Sequence, residues 1–210
     1  MTDYTVQRVT DADTENVLKF LRRTFFVQEP VYKKVAFTTS ENDERPELDI
    51  YLRYTLPGIS FKAIDSEGNI VGVLISGTQS IRDRLDSLLM KYCTDPNLKM
   101  ILQMSALMES GAQLRAKYPD EEKIFEITMA ATDEKWQNKG IMKTLMQETE
   151  KVAKETGLRL MRMDTTSAYS SKAAEKFGFK CIYKRAFTDI NIIVPDPPHE
   201  FDQVFIKELF

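Results

Sequence analysis

The sequence predicts a mixed α/β domain of the α+β kind, on three observations. An amphipathic helical pattern spans Asn138 to Thr156 and lies between two β-type runs, Ile124 to Ala131 and Leu158 to Met163. Two alternating runs, Ile59 to Ile64 and Ile70 to Ser76, flank Asp65-Ser66-Glu67-Gly68-Asn69, a hairpin signature. The 210 residues, 42% of them hydrophobic, suit one domain over 1–210 with a single core.

Taken in order, Tyr4 to Val9 alternates as a first strand. A helix follows from about Asp13 to Phe26, with Val17, Leu18, Leu21 and Phe25 on one side. Pro30 keeps Glu29 out of helical geometry, which puts Glu29 in a turn just after this helix. Arg45 to Tyr54 reads as a second helix ended by Pro57-Gly58, and the hairpin comes next. Leu98 to Lys117 is helical, rich in Met and Leu, and stops before Pro119. In the helix Asn138 to Thr156 the apolar stripe is Ile141, Leu145, Met146, Thr149, Val152 and Ala153, with Gly157 beyond its end. A short helix from Ser170 to Phe177 leads into a strand from Phe179 to Phe187, and Gln203 to Leu209 is the last strand.

Composition narrows the chemistry. The 29 Lys and Arg stand against 32 Asp and Glu, a net charge of −3, without the basic face of a nucleic-acid binder. A polycationic or small amine partner is easier to accommodate. His199 is the one histidine and Cys93 and Cys181 are the cysteines, so His-rich metal sites, CxxC pairs and disulfide frameworks are absent and no metal is expected. No run approaches the ~18 apolar residues of a membrane-spanning helix. The N-terminal residues lack the apolar core of a signal peptide, so a cytoplasmic protein with reduced thiols is expected.

The segment between the strand Ile124 to Ala131 and the long helix reads Thr132-Asp133-Glu134-Lys135-Trp136-Gln137-Asn138-Lys139-Gly140-Ile141-Met142. A strand, a loop and a helix start holding a glycine make an anion site, because unpaired N–H groups point outward and the helix dipole adds positive potential. The plainer reading is a helix start with one tolerated glycine. Neither GxGxxG nor GxxxxGK[ST] is present, so dinucleotide and Walker-type sites fail.

Gln137-Asn138-Lys139-Gly140-Ile141-Met142 resembles the Q/R-x-x-G-x-G/A motif of the GNAT superfamily of acyl-CoA-dependent N-acyltransferases. Ala174-Glu175-Lys176-Phe177-Gly178-Phe179 sits where that superfamily's x-E-K-x-G-F signature follows the next strand. Phe25-Phe26-Val27-Gln28-Glu29-Pro30 is similar to the F-F-x-x-E-P segment of the insect-type arylalkylamine N-acetyltransferases, the dopamine N-acetyltransferase-like group, and Thr166-Ser167-Ala168-Tyr169-Ser170 resembles their S/T-S-x-Y-S segment. The resemblance implies the GNAT fold, a mixed central sheet of about seven strands flanked by helices. It also implies acetyl-CoA as cosubstrate and a small-molecule amine as acceptor. A monomer or weak dimer, acting on neither nucleic acid nor membrane, is expected.

By the same resemblance, Ala130, Ala131 and Thr132 match the strand end that pairs with the pantetheine arm. Gln137, Asn138, Lys139, Gly140, Ile141, Met142 and Lys143 match the turn that cradles the pyrophosphate. Ser170 matches a hydroxyl near the cofactor, and Glu29 matches the general base. The sequence departs from the pattern twice. Met142 stands where the motif has Gly or Ala, and Ala174 replaces a tyrosine that serves many members as acid for the leaving thiolate, with Tyr169 the nearest substitute.

The chemistry this implies needs a neutral amine, yet an alkylammonium of pKa about 10 is almost fully protonated at pH 7. Glu29 is the expected base, its pKa raised by burial beside Phe25, Phe26 and Pro30; without the resemblance it reads as a solvated loop glutamate. A backbone N–H of the Met129 to Thr132 strand end would meet the oxyanion. A CoA thiol of pKa about 8.5 leaves tolerably without a strong acid. Asp164, at a strand end, is open to a substrate ammonium or to structural hydrogen bonding, and the Met-rich stretch Met90 to Met108 to a pocket wall or the core. His199 reads as a loop histidine at the rim of the site. The first functional expectation is acetylation of dopamine, serotonin, tyramine or tryptamine-type amines. The alternatives are an acetyltransferase for agmatine or polyamines, and a non-catalytic acyl-CoA-binding module.

Overall fold

The computed structural model describes residues 3–38, 59–81 and 90–210. The helix expected over 45–54 lies outside the described residues. Seven strands, β1 (Tyr4–Arg8), β2 (Phe61–Asp65), β3 (Ile70–Ser80), β4 (Lys123–Thr132), β5 (Leu160–Thr165), β6 (Lys180–Ala186) and β7 (Phe201–Glu208), form a mixed sheet in the order β1-β2-β3-β4-β5-β7-β6. The described helices are α1 (Thr14–Arg23), α2 (Phe25–Gln28), α3 (Pro30–Lys34), α4 (Pro96–Ala112), α5 (Leu114–Lys117), α6 (Ile141–Glu155), α7 (Ala168–Lys176) and α8 (Phe187–Ile190). This is the helix-flanked sheet of about seven strands that the resemblance implies. The chain divides into two compact units.

The first unit holds the described residues of Met1–Val27, Thr38–Gly77 and Ile127–Gly157. β1 pairs antiparallel with β2, Tyr4 opposite Asp65, and β2 pairs antiparallel with β3. The hairpin turn closes on Asp65, whose carboxylate accepts from the N–H groups of Glu67 at 2.9 Å and Asn69 at 2.8 Å, while Gly68 takes φ +85°. α1 buries Val17, Leu18, Phe20 and Leu21 and stops at Arg23, earlier than the apolar period suggests. There the Thr24 N–H and hydroxyl both donate to the Phe20 carbonyl, at 3.0 and 2.6 Å, a back-bond of the kind that bends helices. α6 buries Ile141, Leu145, Met146, Thr149, Val152 and Ala153, the stripe read from its period. Its first turn comes down close on the sheet because Gly72 of β3 has no side chain: a Cβ there would lie 2.6 Å from the Ile141 Cγ2.

The second unit holds the described residues of Gln28–Phe37, Thr78–Glu126 and Leu158–Phe210. β7 pairs antiparallel with both β5 and β6, Thr165 and Lys184 each facing Gln203. α4 starts two residues before the expected Leu98, with Pro96 in its first turn and the Asp95 carboxylate capping the Leu98 N–H at 2.8 Å. Gln113, at φ +50°, breaks the expected single helix into α4 and α5. Among the described residues, two apolar clusters contribute to its core. One joins Met108, Ala112, Ile124, Leu160, Val204 and Ile206, and the other joins Val31, Met104, Phe187 and Ile193. Met104 and Met108 of the Met-rich helix are therefore core residues.

Candidate active site

In the second unit Glu29 caps α3. Its backbone is extended, φ −65° and ψ 127°, as the following proline requires, and Pro30 opens the helix. The Glu29 Oε2 accepts from the N–H groups of Val31 and Tyr32, each at 2.9 Å, and Oε1 accepts from the Thr166 hydroxyl. Burial pushes its pKa above the ordinary carboxylate range, although the bonds from Thr166, Tyr32 and Val31 all favour the charged form. A carboxylate fixed by three donors, with its proton affinity raised, can exchange a proton at a higher pH than a solvated carboxylate. Glu29 is held as an N-cap, in the turn that the sequence assigns it.

Thr166 leads directly into α7. Ser167 caps that helix, its hydroxyl accepting from Tyr169 N–H at 3.1 Å and Ser170 N–H at 3.3 Å. The Ser170 and Ser171 hydroxyls both donate to the Ser167 carbonyl at 3.0 Å. His199 binds the same turn from outside: its Nδ1 accepts from Ala168 N–H at 3.2 Å and its ring meets Tyr169 edge-on, centroids 5.5 Å apart. Burial, and then Lys33, lower the His199 pKa, which favours the neutral ring that this hydrogen bond requires. Glu29, Thr166, Ser170 and His199 thus stand around one turn. Sequence reading named Glu29 and Ser170 here but missed Thr166 as a partner of the carboxylate; the signal was its place at the head of the T-S-x-Y-S segment.

A buried charge cluster in the same unit was also unforeseen. Arg162 is fully buried on β5 and grips Asp164 through two bonds of 2.7 Å. It also pairs with Glu109 of α4 and lies 3.7 Å from Glu126 of β4. The three carboxylates outweigh the burial that opposes its charge and hold its pKa well above the usual value. Asp164 is thereby engaged in a structural ion pair, one of the two roles that the sequence left open. Cys93 is buried, Cys181 is exposed, and neither is in a disulfide.

The predicted anion turn belongs to the first unit. β4 ends at Thr132, and Asp133 fixes the loop that follows: its N–H donates to Val71 O at 2.9 Å, and its carboxylate accepts from Lys135 N–H at 3.1 Å and pairs with Arg23 at 2.6 Å. A single 3-10 turn, Glu134–Trp136, leads to Gln137 in extended geometry. Asn138 (φ +62°) and Gly140 (φ +81°) then bring the chain to α6 through left-handed backbone, and no side chain caps the helix start. Without such a cap, the first N–H groups of α6 carry no intrahelical acceptor and face outward. A Cβ placed on Gly140 would meet only the Tyr4 hydroxyl, at 3.9 Å, so the approach is open. Gln137, Asn138, Lys139, Gly140 and Lys143 are exposed, Ile141 is buried in the core, and Met142 is half-buried. Ala130, Ala131 and Thr132 form the last residues of β4.

Among the described residues, no group of three metal-ligating side chains stands together, and no helix is long and apolar enough to cross a membrane. A sequence profile of the Acetyltransferase (GNAT) family matches residues 29–179. The chain is similar to the solved arylalkylamine N-acetyltransferase 2 of Aedes aegypti, at 27% identity and TM-score 0.90 over 99% of this chain and 100% of that one. The Drosophila melanogaster polyamine N acetyltransferase, which catalyses formation of N-acetylagmatine, shares the fold at 21% identity and TM-score 0.84, over 98% and 100% of the two chains. So does Arabidopsis thaliana NAA60 in complex with acetyl-CoA, at 12% identity and TM-score 0.59 over 98% of each chain. The profile runs from the capping carboxylate of α3 through the open glycine turn to Phe179, and on that match the chain belongs to the GNAT family of acetyltransferases.

Proposed function

We propose that this chain is an acetyl-CoA-dependent N-acetyltransferase that acetylates the primary amine of arylalkylamines of the dopamine, serotonin, tyramine and tryptamine type, by direct attack in a ternary complex. The observation that carries the reading is Glu29: a helix-capping carboxylate with raised proton affinity, in a GNAT chain. Support for the arylalkylamine class comes from the likeness to the Aedes aegypti enzyme over the full chain.

Bound acetyl-CoA supplies an acetyl group activated as a thioester. The open turn suits its pyrophosphate: left-handed backbone at Asn138 and Gly140 and an uncapped helix start present N–H donors with no side chain in the way. Ala130 to Thr132 offer strand-end backbone to the pantetheine arm. Glu29 takes the proton from the ammonium, directly or through one water, so that the nitrogen lone pair is free; the N–C bond forms, the C–S bond breaks, and the second proton lost by the nitrogen goes to the CoA thiolate, which leaves as the thiol. A backbone N–H of Met129 to Thr132 donates to the acyl oxygen. Thr166 positions the carboxylate, and Ser170 and Tyr169 stand on the turn beyond it.

One observation favours acetylation of an aliphatic dication such as agmatine as a second reading. The Drosophila melanogaster polyamine N acetyltransferase, which catalyses formation of N-acetylagmatine, shares the fold over 98% of this chain. Thiol release from acetyl-CoA, followed with a panel of amines, separates the readings. Turnover preferring dopamine or tryptamine supports the arylalkylamine class, preference for agmatine replaces it with the second, and CoA binding without turnover on any amine overturns both.

A further inference from the structure

We propose that Trp136 and Lys139 form the docking point for the adenosine 3′-phosphate end of coenzyme A, a specificity element that rests on the acetyl-CoA reading above. Trp136 is the one tryptophan of the chain. It closes the 3-10 turn Glu134–Trp136, none of whose residues is buried, so its indole has no place in the core. The turn is nonetheless rigid: Asp133 is tied to Val71, Lys135 and Arg23, and the Trp136 N–H donates to Asp133 O at 2.8 Å. A large, half-exposed aromatic face on a fixed loop, one residue before the Gln137 to Lys143 turn, is a stacking platform for a base.

The Lys139 ammonium lies over that indole, 4.2 Å from the ring centroid. In water such a contact is weak, and a phosphate dianion offers the same ammonium a stronger, charge-assisted bond. Lys135 and Lys143 are exposed four residues to either side, and Asp133 is already paired with Arg23, which leaves Glu134 as the opposing charge on this loop. A π face and an ammonium side by side match a ligand that carries a purine and a phosphate. On coenzyme A that is the 3′-phosphoadenosine, beyond the pyrophosphate. Lys139 then leaves the indole for the 3′-phosphate, and the adenine takes its place on the ring.

The full chain is titrated with CoA, dephospho-CoA and pantetheine, read by intrinsic fluorescence and by calorimetry. CoA is expected to quench Trp136 emission, pantetheine to leave it unchanged, and dephospho-CoA to quench while binding about tenfold more weakly than CoA. Lys139→Gln is expected to abolish the preference for CoA over dephospho-CoA, with Lys139→Arg restoring it. Trp136→Leu is expected to weaken both ligands about tenfold by calorimetry, and Trp136→Phe to recover part of the loss. Heat of CoA binding with unaltered emission, together with wild-type affinity in Trp136→Leu, overturns this inference alone. Absence of CoA binding overturns it together with the proposed acetyl transfer.

Discussion

The Thr166 hydroxyl donates a hydrogen bond to the Oε1 of Glu29, 137 residues away in the chain. The bond joins the cap of α3 to the segment that opens α7. It also sets the proton affinity of the carboxylate, since Thr166 pulls the Glu29 pKa down while burial pushes it up more strongly.

Glu29→Gln is expected to lower kcat/KM by about 10²- to 10⁴-fold at neutral pH and to leave CoA affinity nearly intact. The acid limb of the wild-type pH-rate profile is expected above the ordinary carboxylate range, because the folded-state pKa is raised. For an acid shifted this way the folded chain holds the proton more tightly than the unfolded chain. Ionised Glu29 therefore costs stability as pH rises through its folded pKa, and the amide variant is expected to melt no lower than wild type at pH 7. An unchanged pH-rate profile in the variant would remove Glu29 from the mechanism.

Thr166→Val removes a donor to the charged form and is expected to move the acid limb upward by about one pH unit, while Thr166→Ser leaves it in place. Overlaid pH-rate profiles of the three proteins give the comparison. Coincident curves for Thr166→Val and wild type would mean that this hydrogen bond does not tune the base.

His199 is the one histidine, so its titration is read from a single imidazole by NMR. Its midpoint is expected below 6.5, because burial and Lys33 both disfavour the cation. Below that midpoint the Ala168 N–H loses its acceptor, and amide exchange at Ala168 is expected to quicken. A midpoint at or above 6.5 contradicts the geometry.

Arg162→Met leaves Glu126, Glu109 and Asp164 without their shared cation and is expected to cost about 3–5 kcal/mol. Removal of the cation leaves like charges close together, and their repulsion grows with ionisation, so the loss is expected to be larger at pH 8 than at pH 5. Urea denaturation at both values checks the magnitude and the sign.

Gly72→Ala puts a methyl 2.6 Å from the Ile141 Cγ2. It is expected to destabilise by about 1–3 kcal/mol and to weaken CoA by displacing the first turn of α6. Ile141→Leu, which has no Cγ2 branch, is expected in the same background to recover part of both, measured by melting and by calorimetric titration. Equal CoA affinity in Gly72→Ala and wild type would show that the turn does not depend on this contact.

Much of this was legible in local sequence. The apolar stripe of α6, the Asp65 to Asn69 hairpin turn, the extended geometry of Glu29 before Pro30 and the glycine at the anion turn each depend on residues within a few positions of one another. Helix ends were less legible. Gln113, rather than a glycine or asparagine, takes the left-handed geometry that ends α4, and α1 ends at Thr24 against a favourable apolar period.

By itself the sequence determined the seven strands in their chain order, the long helix α6 and the extended backbone of Glu29, because periodicity, proline and glycine act over short stretches of chain. Tertiary structure alone decided the partners. Thr166 on Glu29, His199 on Ala168, Arg162 amid its three carboxylates and Gly72 beneath Ile141 are contacts between distant positions. Such pairings carry no local period, and burial turns them from surface polarity into the forces that set proton affinity and helix placement.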